Sequence, residues 1–154
     1  MEPVGFVTNP EYRLVGVQRR IRLDTADWTA LWNGEYAPRM ADVEASGEGD
    51  ACLGCYFSTG ETALVDFVMG KPARADAHPA EGLVLRDVPA ANYAVFECSM
   101  SEIARTWRAI YSEWFPGSGL MEDESAPCIE QFRPGCHEGS VPVRIFVPVI
   151  IPEA

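Results

Sequence analysis

Glu130 is the residue with the clearest capacity for chemistry. It stands in the run Cys128-Ile-Glu-Gln-Phe132, where strand alternation puts it on one face with Cys128 and Phe132. An ionised carboxylate in such company costs on the order of several kcal/mol unless it leans to water, meets a basic residue, takes up a proton or receives a cation. Two alternatives stay open from the residues alone: the strand is turned the other way, or Arg133, Arg144 or another arginine pairs the charge. Trp28, Trp32 and Tyr36, then Trp107, Tyr111 and Trp114, recur at helical spacing, and Phe57, Phe132 and Phe146 lie in strand-like runs. An aromatic stripe of this kind is also what ordinary core looks like. Aromatic faces beside one carboxylate, however, are a means of holding lipophilic cations.

The other reactive side chains offer less. Cys52, Cys55, Cys98, Cys128 and Cys136 are odd in number and follow no export signal, so reduced thiols are expected rather than a disulfide framework. A zinc site built on Cys52, Cys55, Cys136 and His137 lacks convergent spacing, because alternation sends Cys52 and Cys55 to opposite faces. No metal or cofactor is expected. His78 and His137 fall in apparent loops, and no serine stands in a Gly-x-Ser-x-Gly elbow.

The elements that position these residues read as one motif used twice. Tyr12-Arg-Leu-Val-Gly-Val17 recurs as Tyr93-Ala-Val-Phe-Glu97, Trp28-Thr-Ala-Leu-Trp32 as Trp107-Arg-Ala-Ile-Tyr111, and Leu53-Gly-Cys-Tyr-Phe57 as Cys128-Ile-Glu-Gln-Phe132. In this alignment Glu130 replaces Cys55. In the first unit a strand over 12–23 precedes a helix over about 25–36 capped from Asp24-Thr25, a loop or frayed helix end over 41–50, and strands over 52–58 and 62–69. In the second, strands over 82–88 and 93–98 precede a helix capped by Ser99 or Ser101, stopped at Pro116-Gly117. Strands over 128–133 and 142–151 follow, with Pro148 restricting the last to a sheet edge or a strand end. The expectation is one α+β domain over 1–154, with pseudo-repeats at about 10–70 and 82–151. They form one curved, mostly antiparallel sheet with two helices on one face and a central cleft.

Length and charge narrow the function. The 154 residues include 23 acidic and 12 basic side chains, a net charge of −11, which repels phosphate backbones and argues against direct nucleic-acid binding. Met1-Glu2-Pro3 opens no signal peptide and no apolar run approaches about 18 residues, so no membrane span and a cytoplasmic location are expected.

Four segments together, Leu85-Arg-Asp-Val-Pro-Ala-Ala-Asn-Tyr-Ala-Val-Phe-Glu97, Trp107-Arg-Ala-Ile-Tyr-Ser-Glu-Trp-Phe-Pro-Gly-Ser-Gly119, Ile129-Glu-Gln-Phe-Arg-Pro134 and Ile145-Phe-Val-Pro-Val149, resemble the GyrI-like effector-binding family. This is the ligand-sensing module of AraC-type and multidrug-responsive transcription regulators. The resemblance implies a duplicated β-α-β-β fold whose cleft binds bulky, often cationic, lipophilic molecules. It matches Glu130 to the glutamate of the family's Glu-x-aromatic-x-Pro motif, with Trp32, Phe57, Trp107, Tyr111, Trp114, Phe132 and Phe146 as candidate walls. Where the family commonly has a tyrosine next door, this chain has Gln131 and then Phe132. Family members are often fused to a helix-turn-helix domain, and the 11 residues before the strand at Tyr12 hold none, which suggests a stand-alone sensor acting through a separate regulator. Some relatives hydrolyse strained electrophiles; such a reaction would use Glu130 as general base and Tyr93 or Tyr111 as acid. A gyrase-inhibitor-like protein partner is the third reading.

Overall fold

In a computed structural model, residues 1–153 are described; Ala154, the last residue of the expected domain, lies outside them. Nine strands form a single antiparallel sheet: β1 (Gly5–Asn9), β2 (Tyr12–Arg22), β3 (Cys52–Ser58), β4 (Leu64–Pro72), β5 (Val84–Val88), β6 (Ala91–Cys98), β7 (Met121–Glu122), β8 (Cys128–Phe132) and β9 (Val143–Ile150). Their order is β1-β6-β9-β8-β3-β4-β2-β5, with β7 added beside β9. The order is palindromic about the β3–β8 pair. Each half therefore contributes strand, helix and hairpin strands, while the leading short strands are exchanged: β1 pairs with β6 of the second half, and β5 with β2 of the first.

This exchange forces the sheet to curl. Only Pro10 and Glu11 separate β1 from β2, and only Pro89 and Ala90 separate β5 from β6. Three Cα steps reach at most about 11 Å, whereas six strand spacings in a flat sheet would measure about 29 Å. The two ends must fold toward each other, and a single inner cluster joins them: Leu14 from β2, Leu53, Cys55 and Phe57 from β3, Val88 from β5, Tyr93 from β6 and Ile129 from β8. The outer face carries the helices, each over its own cluster.

Both helical runs are broken in the same way. The first comprises α1 (Trp28–Leu31), a π turn (Trp32–Tyr36), a 3-10 turn (Ala37–Arg39) and α2 (Met40–Ser46); the second runs from a 3-10 turn (Met100–Glu102) through α3 (Ile103–Ala109) and a π turn (Ile110–Trp114) to α4 (Phe115–Ser118). The π turns coincide with Trp32-Asn-Gly-Glu-Tyr-Ala-Pro38 and Ile110-Tyr-Ser-Glu-Trp-Phe-Pro116. In each, the residue before proline donates its N–H five residues back, Ala37 to Trp32 O and Phe115 to Ile110 O. Proline has no N–H to continue the ladder, so the helix widens just before it.

Several boundaries differ from expectation for local reasons. Asp27, not Asp24 or Thr25, caps α1, accepting from Ala30 N. Residues 40–46 form a regular helix rather than a loop or a frayed end, pinned by the buried Val43 and Ser46. β1 precedes the first expected strand. Pro148 lies inside β9, paired with Tyr93 of β6 on one side. Its other side falls between the end of the β8 pairing at Phe146 and the start of the β7 pairing at Val149, where no ladder N–H is required.

Candidate functional site

Glu130 occupies the middle of the seam between the two halves. β3 and β8 pair with Gly54 directly opposite Glu130, Tyr56 opposite Cys128 and Cys52 opposite Phe132. These six residues project from the outer, helix-bearing face; Leu53, Cys55 and Phe57 project from the inner one. Glu130 therefore has no counterpart in Cys55, contrary to the sequence alignment, because the two lie on opposite faces. The side chain across from it is a hydrogen. A Cβ on Gly54 would lie 2.9 Å from Phe67 Cζ and 3.5 Å from Glu130 Oε1, so the glycine makes room for a ring and a carboxylate at once.

The carboxylate is 5% exposed. Its Oε2 accepts from Trp107 Nε1 at 2.7 Å and from Tyr56 OH at 3.0 Å. Among the described residues no basic group pairs with it. Arg133 donates to Pro142 O and Arg144 binds Glu97, which removes both arginine alternatives. Burial pushes the Glu130 carboxyl above its ordinary range, and the Trp107 and Tyr56 hydrogen bonds oppose that rise. Tyr56 is in turn held well above its ordinary value by burial and by the adjacent carboxylate, so it remains a donor.

Aromatic rings extend from this centre in both directions. Toward the first helical run, Tyr56 meets Phe67 edge-on at 4.7 Å between centroids and Trp28 at 6.0 Å. Toward the second, it meets Trp107 at 5.9 Å; Trp107 stacks on Tyr111 at 6.1 Å, and Tyr111 on Phe115 at 5.6 Å. Trp28 and Tyr111 are 40% and 46% exposed, so the ribbon has a buried middle and open ends. Tyr111 OH donates to Glu122 Oε1 at 2.6 Å and lies 3.6 Å from Cys128 Sγ. Burial raises Glu122 and pushes the Cys128 thiol up to about 12, so that thiol stays protonated at neutral pH.

The sequence-derived candidates separate into three groups. Glu130, Trp107, Tyr111 and Phe132 share the outer face around the seam. Phe57, Tyr93 and Phe146 belong to the inner cluster, behind the sheet from Glu130, so they cannot wall the same space and Tyr93 cannot share a reacting centre with it. Trp114 packs on Phe96 at 5.1 Å and Phe6 at 6.5 Å, toward the β1–β6 end, and Trp32 is 41% exposed on its π turn. Trp28, named in the aromatic stripe, does reach the ribbon through Tyr56, whereas Tyr56, Gly54 and Phe67 were missed. Only the register of β3 against β8 and β4 brings them to Glu130, and that pairing is non-local. Among the described residues no group of three or more His, Cys, Asp or Glu is placed to hold a metal ion, and no helix is long and apolar enough to cross a membrane.

A model of the GyrI-like small molecule binding domain matches residues 2–150. A protein of Erwinia billingiae (strain Eb661) described as a DNA gyrase inhibitor is 27% identical over 93 residues, 58% of this chain and 59% of that protein. The match thus spans less than two thirds of that relative's length. Among solved structures, SAV2435 bound to tetraphenylphosphonium superposes with a TM-score of 0.77 at 16% identity, over 97% of this chain and 94% of the other. A transcription regulation protein of Staphylococcus aureus MU50 gives 0.75 at 14%, covering 97% and 99%. The C-terminal domain of EcmrR gives 0.63 at 13%, covering 96% and 97%. At these identities the structural likeness establishes the fold.

Proposed function

This chain belongs to the GyrI-like small-molecule binding domain family, and we propose that it binds lipophilic cations at Glu130, between the two helical runs. The observation that carries the reading is a buried carboxylate with no cationic partner among the described residues, held by two neutral donors within a ribbon of aromatic rings. A cation supplies the compensation that the neutral donors give only in part, and the rings offer it their negative faces. The carboxylate is occluded in the unliganded chain, so binding requires the Trp107 indole or the Tyr56 ring to move aside and a cleft to open over the seam. Turnover is not part of this reading. Tyr93 lies behind the sheet and Tyr111 is committed to Glu122, so neither tyrosine offered as the acid is free to act with Glu130.

Tetraphenylphosphonium, titrated by tryptophan fluorescence and by calorimetry, is the direct test. A charge separation of about 6 Å at an effective dielectric of 20 gives about 2.8 kcal/mol. Glu130→Gln should therefore weaken the cation roughly a hundredfold. The neutral triphenylphosphine oxide should bind both proteins with similar affinity. Equal affinity of the cation for both proteins would overturn the assignment.

A further inference from the structure

On the other side of the sheet from Glu130 lies a separate pocket of about 260 Å³. Leu53, Ile129 and Phe146 form its apolar wall, Tyr12 and Gln131 add polar edges, and Glu48 and Asp50 stand at the mouth. Strand alternation makes this arrangement unavoidable. Leu53 flanks Gly54 and Ile129 and Gln131 flank Glu130, so each neighbour faces the opposite way.

Two facts suggest that the pocket is built to be occupied. Buried polar atoms are nearly always hydrogen-bonded, and each exception points to a missing water or ligand. Here Oε1 of Gln131, a residue lining the pocket, is buried without a partner among the described residues. The terminal torsion of glutamine is broad and roughly two-fold, so rotation about it can present the oxygen to the pocket. The second fact is charge. None of the residues lining the pocket is basic, and its mouth carries two carboxylates. Lys71, which holds Gly49 O from the outer face, is already paired with Glu44 at 2.8 Å.

We propose that this inner-face pocket is a second small-molecule site, taking a compact primary ammonium with an apolar body. The ammonium meets the Gln131 oxygen and the acidic mouth, and the body lies on Leu53, Ile129 and Phe146. The volume sets the size. It is below the ~300–1,000 Å³ of drug-sized sites, while an apolar cavity of ~150 Å³ already admits a benzene ring. A ring with a two-carbon ammonium arm fits that interval; a tetraarylphosphonium does not.

The probe is 2-phenylethylammonium, titrated into the full ¹⁵N-labelled chain by two-dimensional NMR. Saturable shifts are expected at the Leu53, Ile129 and Gln131 amides with a Kd on the order of 1 mM. They should persist in Glu130→Gln. Ala51→Trp, which fills the pocket from its half-buried rim, should weaken binding about tenfold or more, and Gln131→Leu about fivefold. The neutral 2-phenylethanol should bind wild type about fivefold more weakly than the ammonium. No saturable shift at these amides would leave water as the occupant and overturn the proposal. Shifts that vanish in Glu130→Gln would also overturn it, by placing the probe on the outer face.

Discussion

Replacing Trp107 by phenylalanine keeps a ring against Tyr56 and Tyr111 but removes the indole N–H that donates to Glu130 Oε2 over 2.7 Å. A hydrogen bond to a charged group contributes about 1.5–3 kcal/mol. In the unliganded protein that contribution is lost, so the variant should unfold at lower temperature, by about 2–4 °C per kcal/mol for a chain of this size. The effect on binding has the opposite sign. If a cation reaches Glu130 only after the indole leaves, wild type gives up this hydrogen bond on binding and Trp107→Phe has nothing to give up. The cation should then bind about ten- to a hundredfold more tightly. The measurement is a tetraphenylphosphonium titration by calorimetry repeated at rising pH, because losing a donor raises the Glu130 carboxyl further and the test needs it ionised. Tyr56→Phe, which removes the longer 3.0 Å bond, should show the same sign with a smaller size. A folded Trp107→Phe protein that binds the cation more weakly than wild type would refute the reasoning, since the indole would then be a wall of the site rather than its plug.

Two further outcomes follow from the same centre. Gly54→Ala places a methyl 2.9 Å from Phe67, a ring only 3% exposed, and should cost about 1–3 kcal/mol, read as a lower urea midpoint. An unchanged midpoint would show that the ring can yield. Glu130 also sets a pH dependence: its folded pKa is raised above the unfolded value, so the unfolded chain binds fewer protons between the two. Stability in that window therefore falls as pH rises, and the loss is complete above the folded pKa. Urea midpoints of wild type should drop across it relative to Glu130→Gln, and a pH-independent difference would contradict the burial cost.

The duplicated order of strand, helix and hairpin was legible because periods of two and of 3.6 residues, with glycine and proline between them, are local signals. β1 was not, since its middle residues are exposed and leave no alternation to read. Residues 40–46 were legible only as loop or frayed helix end, since one buried Val43 gives no apolar stripe. Of the candidate site, the grouping of Glu130 with Trp107 and Tyr111 was legible. Glu130 stood out as a charge on an apolar face, and Trp107 and Tyr111 followed from helical spacing. The faces of Phe57, Tyr93 and Phe146 were not, because a slip of one residue in register exchanges the two sides of a sheet. Aligning Leu53-Gly-Cys-Tyr-Phe57 with Cys128-Ile-Glu-Gln-Phe132 made that slip and hid Tyr56 behind Cys55.

The broken helices would give the proposed site a means of opening. Trp28 and Trp107 both lie in the segment ahead of a π turn, four residues long in the first run and seven in the second. Segments so short have little helical stability of their own and hold their place through packing and caps. α3 has no side-chain cap on its leading N–H groups and buries only Thr106, whereas the turn beyond it buries Ile110 and Trp114 against the sheet. The anchored part of the second run is thus the part downstream of Trp107. The indole that closes Glu130 rides on the part most free to swing, with the widened turn at Ile110–Trp114 between them to absorb the change. On the proposed reading a ligand need not lift a helix from the sheet to reach the carboxylate; displacing two turns that carry one hydrogen bond to Glu130 would be enough.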